Sequence, residues 1–347
     1  MTSALAPGGR PAALESAIER SPGPEFELAP QPLAGPALEL ALPPALESAA
    51  VVLARHGRSF HFASHLLGAR HGQRAARLYA FCRRVDDLAD EAADPHAAAL
   101  ALDALATALR DGAGGPPWLA DLRALQAETG LDSAPLLDLI EGVRGDLGEV
   151  AFDSSEQLIR YAYRVAGTVG LMMCAVLDVR DSRALPFAID LGIGMQLTNI
   201  ARDVGADAEL GRRYLPASWL GAASAVQIIE PDPALQAQLR SATARLLVLA
   251  DRYYASGEAG LGFLPVRARL AILTAARVYR GIGERVAAAD FRSWNRRAAV
   301  SLPRKFGYAA GALLTFLGRP SLHRCAAVHE AVLHQPLQGL RAAADHA

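Results

Sequence analysis

From about Leu46 onward, apolar residues recur at intervals of three and four, and runs alternating between polar and apolar residues are scarce. Gly and Pro punctuate the pattern. The spacing predicts helices at 46–56, 60–67, 70–92, 95–112, 116–129, 133–148, 155–178, 182–204, 234–256, 266–289, 303–317 and 321–333. That is an all-α fold in one helical domain, 46–335, followed by a short C-terminal tail, 336–347. Residues 1–45 break the pattern with stretches such as APGGRPAA, SPGPEF and APQPLAGP. Proline interrupts helices and removes backbone donors, and no basic segment leads into an apolar run as in a signal peptide. These residues read as a disordered Ala/Pro/Gly-rich tail. No internal repeat is evident. No uncharged run reaches the ~18 residues of a membrane span. The nearest, 184–201, carries Asp190 and ends in the polar residues Gln196, Thr198 and Asn199. It reads as a core helix whose polar end faces a cavity.

Two helices carry polar stripes where packing alone gives no reason for them. In LYAFCRRVDDLADE (78–91), Asp86 and Asp90 are four apart, Arg83 is three before Asp86, and Tyr79 is four before Arg83. On a helix this puts both carboxylates on one face, one turn apart. In MQLTNIARDVGAD (195–207), Asn199, Asp203 and Asp207 repeat the device. A lone stripe of this kind is an ordinary solvated helix face. Two of them in a largely apolar helical chain ask for a shared ligand, most simply divalent cations.

Composition narrows the choice. With 347 residues, 52% of them hydrophobic and 20% charged, the chain can fill a large core. A net charge of −1 makes no electrostatic case for nucleic acid. Cys82, Cys174 and Cys325 are odd in number and widely spaced, which fits a reducing, cytoplasmic setting without disulfides or a zinc signature. His56, His61, His65 and His71 form no pattern of metal ligands.

Magnesium takes oxygen ligands and commonly shares them with substrate phosphates. Carboxylate pairs facing one another across a cavity can hold Mg²⁺, with Mn²⁺ as a substitute, and the ions can bridge a diphosphate as it departs. Arg83 and the basic residues near 212 and 297 are placed to take the outer phosphate oxygens. Loss of diphosphate from an allylic carbon leaves a carbocation, which an apolar, water-poor cavity protects. The small positions around 166–177 suit such a cavity, although plain helix packing would use them equally well.

These residues resemble the squalene/phytoene synthase family, the head-to-head prenyl synthases. The resemblance spans about Val51 to Lys305. It rests on SF at 59–60, YAFCRxxDDxxD at 79–90, YxYxVAGTVG at 161–170, QxxNIxRDVGxD at 196–207 and RxYLP at 212–216; Ala299 departs from the family's usual bulky residue. It implies an isoprenoid-synthase fold around a central cavity. It also implies a two-step condensation through a cyclopropylcarbinyl diphosphate. Asp86, Asp90, Asp203 and Asp207 would hold metal, with Asn199 assisting. Arg83, Arg213, Arg297 and Tyr279 would contact diphosphate, and Tyr161 would sit near the reacting carbons. Ser59, Phe60, Tyr79, Ala166, Val169, Gly170 and Gln196 would bind the prenyl substrates.

The wording VAGTVGLMMCAVLDV is most similar to bacterial phytoene synthases. The resemblance therefore implies two geranylgeranyl diphosphates joined through prephytoene diphosphate to phytoene, for carotenoid biosynthesis. The alternative is dehydrosqualene, presqualene diphosphate or squalene synthesis from farnesyl diphosphate. No NADPH is expected, because there is no Gly-rich dinucleotide turn and no C-terminal membrane helix of the squalene synthase kind. Any membrane contact would be peripheral, for product release.

Overall fold

The apolar periodicity is realised as helices throughout the computed structural model, which describes residues 48–90, 94–295 and 298–340, with the backbone alone for His56, Arg58 and Ser59. The helices are α1 (Ala49–His56), α2 (Arg58–Ser64), α3 (Ala69–Asp90), α4 (Pro95–Arg110), α5 (Leu119–Thr129), α6 (Ser133–Arg144), α7 (Ser155–Ala162), α8 (Thr168–Val176), α9 (Leu185–Glu209), α10 (Ala217–Leu220), α11 (Ala225–Ile229), α12 (Pro233–Ala259), α13 (Val266–Ala288) and α14 (Leu302–Gly318). Among the described residues the strands are β1 (Val150–Ala151) and β2 (Arg212–Arg213), a parallel two-residue pair with Val150 opposite Arg212. The described residues belong to one compact unit, 45–347. The tail expected at 1–45 lies outside the described residues.

Helix α9 is the axis of the unit. It buries residues on most of its sides from Phe187 to Ala208, broken by the polar stripe of Gln196, Asn199 and Asp203, and α8, α11, α12 and α13 pack around it. One large core joins α7, α9, α12 and α13, and a second joins α3, α4, α5, α6 and α8. Polar side chains fix where helices start. Asp94, Asp132, Ser154 and Asp232 each accept a hydrogen bond from the exposed first-turn amides of α4, α6, α7 and α12.

Two expected helices are realised differently. The stretch 155–178 is not one helix: α7 gives way to a π turn, Tyr163–Gly167, before α8 begins. Such a turn adds a residue to the helical repeat and re-aims the helix beyond it. The stretch 321–333 is not a helix either. It is a 3₁₀ turn at Pro320–His323, an extended segment, and a second 3₁₀ turn at Ala331–Leu337 that encloses Pro336. This strap is tied down from outside: Tyr253 donates its hydroxyl hydrogen to the Leu333 carbonyl, and Arg160 donates to the carbonyls of Pro336 and Gln338. Leu337 and Leu340 are buried in the main core.

Where α8 crosses α9, the two backbones touch. A Cβ on Gly170 would stand 2.1 Å from the Ala188 carbonyl oxygen, and one on Gly192 would stand 2.2 Å from that of Ala166. Only glycine permits this approach.

Candidate active site

Between α2, α3, α8, α9 and α13 lies a cavity of about 310 Å³. One end is polar, formed by Asp86, Gln196 and Asn199 with the rings of Tyr79, Phe60 and Tyr279. The other end is apolar and reaches Ala184, Phe187, Leu261 and Leu264. Phe60 holds the aromatic group together, 5.1 Å from Tyr279 and 6.4 Å from Tyr79 between ring centres.

The two predicted stripes come from α3 and α9 and share one electrostatic field. Burial raises Asp86 to about 7; Arg83 opposes this, while Asp90, Asp87 and Asp146 add to it. Burial likewise raises Asp207 to about 7, with Asp203 and Asp146 adding and Arg212 opposing. Carboxylates crowded in this way call for positive charge. Cations stand at the rim. Arg83 pairs with Asp87, Arg202 Nε lies 2.9 Å from Asp203, and Arg212 Nη2 lies 3.1 Å from Asp90. Asn199 donates to Gln196 at 3.3 Å, and its own carbonyl oxygen is buried without a partner. An all-oxygen donor set with one orphaned oxygen fits a hard divalent cation.

Asp146 joins this group from the 3₁₀ turn after α6, and the sequence pattern does not single it out. Its two oxygens accept from Tyr161 at 2.7 Å and from Tyr214 at 2.9 Å. Burial raises it, against those two hydrogen bonds. Tyr161, expected beside reacting carbons, is placed in this cluster. Its ring stacks on Tyr214 at 4.8 Å, its hydroxyl holds Asp146, and it is not part of the cavity wall.

Arg213, expected to contact diphosphate, is placed among backbone carbonyls. It is buried, and its guanidinium donates to the carbonyls of Phe152 and Leu215. Arg212, its neighbour on β2, is the one that turns to the carboxylates. Phe60, Tyr79, Ala166, Val169, Gly170, Gln196, Asn199 and Tyr279 all border the cavity, and a Cβ on Gly170 would meet the backbone of α9. Arg297 and the side chain of Ser59 lie outside the described residues.

The profile of squalene/phytoene synthases matches residues 53–304. The chain belongs to the squalene/phytoene synthase family. It is 36% identical over 268 residues to a 15-cis-phytoene synthase of Enterobacter agglomerans, covering 74% of this chain and 90% of that protein. It is 40% identical over 241 residues to a 15-cis-phytoene synthase of a Paracoccus species, covering 66% and 78%. Among solved structures, a dehydrosqualene synthase in complex with ligand superposes with a TM-score of 0.70 at 28% identity, over 78% of this chain and 95% of that one. The all-α isoprenoid-synthase architecture expected from the family is the one observed. No helix among the described residues is long and apolar enough to cross a membrane.

Proposed function

We propose that this chain is a phytoene synthase, a prenyltransferase that condenses two geranylgeranyl diphosphates head to head. The observation that carries the reading is the joining of two carboxylate stripes, from α3 and α9, to the polar mouth of a deep apolar cavity. The identity to 15-cis-phytoene synthases supports this choice of product.

Asp86, Asp90, Asp203 and Asp207, with the free carbonyl oxygen of Asn199, would hold Mg²⁺ between the stripes. Bound there, magnesium neutralises diphosphate oxygens and helps the group to leave. Arg83, Arg202 and Arg212 lie in ion pairs at the rim and can exchange a carboxylate for a phosphate oxygen. Tyr79, Phe60 and Tyr279 present ring faces where positive charge develops on the prenyl carbon. The apolar wall from Ala166 to Leu264 keeps water from that carbon. Asp146 is fixed by two tyrosine hydroxyls beside the stripes, where its charge orders the cations around it.

The test is incubation with geranylgeranyl or farnesyl diphosphate and Mg²⁺, with and without NADPH, and mass analysis of the extract. A C40 hydrocarbon from the C20 substrate without NADPH is the expected product. A C30 product formed preferentially from farnesyl diphosphate would replace this reading with squalene synthesis or with dehydrosqualene synthesis, the chemistry named for the structural neighbour. Peripheral contact with a membrane, where a C40 hydrocarbon would be released, belongs to the same proposal.

A further inference from the structure

A second constellation lies away from the carboxylate stripes, beside the apolar end of the cavity. Asp190 of α9 is fully enclosed, with no exposed surface. His329 and His334, from the C-terminal strap, both direct Nε2 at it: His329 to Oδ2 at 2.7 Å and His334 to Oδ1 at 2.9 Å. The hydroxyl of Ser256, on α12, donates to Oδ2 at 2.5 Å. The two imidazole rings lie 4.3 Å apart, and Phe187, which lines the cavity, meets the His329 ring edge-on. Burial alone would raise Asp190, but the hydrogen bonds from His329 and His334 outweigh it and its carboxyl stays below its ordinary range.

We propose that Asp190, His329 and His334 form a site for one divalent transition-metal ion of the zinc class. Two imidazole nitrogens and a carboxylate are a ligand set that zinc, cobalt and nickel favour and that magnesium does not. The three donor atoms already lie within 4.8 Å of one another. A tetrahedral zinc with bonds of about 2.0–2.1 Å sets its donors about 3.4 Å apart, so the widest donor gap must close by up to about 1.4 Å while the contacts to Asp190, at 2.7 and 2.9 Å, open slightly. The carboxylate of Asp190 keeps the hydrogen of His334 on Nε2, and the Nδ1 of that ring is buried without a partner; binding a metal at Nε2 displaces that hydrogen. Nε2 can give up its hydrogen and become a ligand. Ser256 or a water completes the shell. Since the histidines belong to the strap and Asp190 to α9, the ion would cross-link the C-terminal segment to the central helix. The site shares no residue with the magnesium set.

The full-length protein is stripped with chelator and equilibrated with Zn²⁺ or Co²⁺ in a buffer containing excess Mg²⁺. It is then desalted and assayed for metal by mass spectrometry. The expected result is about one equivalent per chain, with the visible absorption of four-coordinate cobalt. Asp190→Asn and His334→Gln should weaken retention by more than roughly tenfold. His329→Gln, at the rim of the cluster, is the variant least exposed to folding failure and should do the same while keeping the wild-type circular dichroism spectrum. Zn²⁺ should raise the melting temperature of the wild type and not that of His329→Gln. The doubly substituted Asp86→Asn/Asp207→Asn protein should keep its zinc. No retained metal in the wild type overturns the proposal. So does retention unchanged in His329→Gln, or loss in the Asp86/Asp207 variant.

Discussion

Replacing Gly170 by alanine adds one methyl group, and the structure fixes where that group must go. It would lie 2.1 Å from the carbonyl oxygen of Ala188 and 2.6 Å from its carbon. Carbon and oxygen in close contact settle near 3.3–3.6 Å, so α8 and α9 would have to part by about 1.2–1.5 Å. The obstacle is backbone, so no rotamer change relieves it. Overpacking of this kind costs about 1–3 kcal/mol. At about 2–4 °C per kcal/mol for a chain of this size, the melting temperature should fall by about 2–12 °C. Because α9 also carries Asn199 and Asp203, the same displacement should lower kcat on C15 and C20 substrates alike. Thermal unfolding followed by circular dichroism, beside kcat/KM for both diphosphates, measures the two effects. Gly311→Ala, in open space on α14, is the control and should gain roughly 0.5–1 kcal/mol from lost backbone freedom. A Gly170→Ala protein with unchanged melting temperature but a shifted preference between C15 and C20 would refute the reasoning and make Gly170 a wall of the prenyl cavity.

Other outcomes rest on the site. Asp86 and Asp207 hold protons in the fold to about pH 7, well above their unfolded values. Their stabilising contribution is complete below pH ~4 and is lost as pH rises through 7. The metal-free protein should therefore melt lower at pH 8 than at pH 6, Mg²⁺ should narrow that gap, and Asp86→Asn/Asp207→Asn should flatten it; an equally steep profile in the double variant would contradict the assignment. Arg213→Ala strands the buried carbonyls that it caps and should cost about 1–3 kcal/mol of stability in a denaturant titration. Arg212→Ala should leave stability near normal and raise KM for the diphosphate; the opposite pattern would exchange the two arginines' roles. Deleting residues 1–40 should leave activity and melting temperature close to wild type, and a loss of several degrees would show that the segment docks.

The stripes on α3 and α9 could be read from the sequence because each lies inside one long helix, where a spacing of four states which side chains share a face. Asp146 could not be read that way. It stands alone in a short turn, and its partners Tyr161 and Tyr214 reach it from two other elements. The choice between Arg212 and Arg213 turns on a single step of strand alternation. A two-residue pairing with β1 decides it, and no periodicity of so short a strand marks it beforehand. Ala166 and Gly170 read equally well as cavity wall or helix contact, since both need small residues; only the position of the Ala188 carbonyl separates the two for Gly170. The strap at 320–340 carries apolar residues at helical intervals, yet its backbone is held by Tyr253 and Arg160 in a shape with Pro336 inside it. That partnership joins residues from 80 to 178 positions apart, which local pattern does not encode.

Helix α9 borders the cavity at both extremes, with Phe187 at the apolar end and Asn199 at the polar mouth. Under the proposed function, the chemistry and the stopping point of the prenyl tail would be marked on one rigid rod, twelve residues or roughly 18 Å apart at 1.5 Å per residue. The interval works as a ruler. It cannot be altered by loop motion or by a shift of neighbouring helices, because both marks travel together. Substrate length would then evolve by changing which α9 side chain ends the tunnel, one turn of about 5.4 Å at a time, without disturbing the carboxylates proposed to hold the metal.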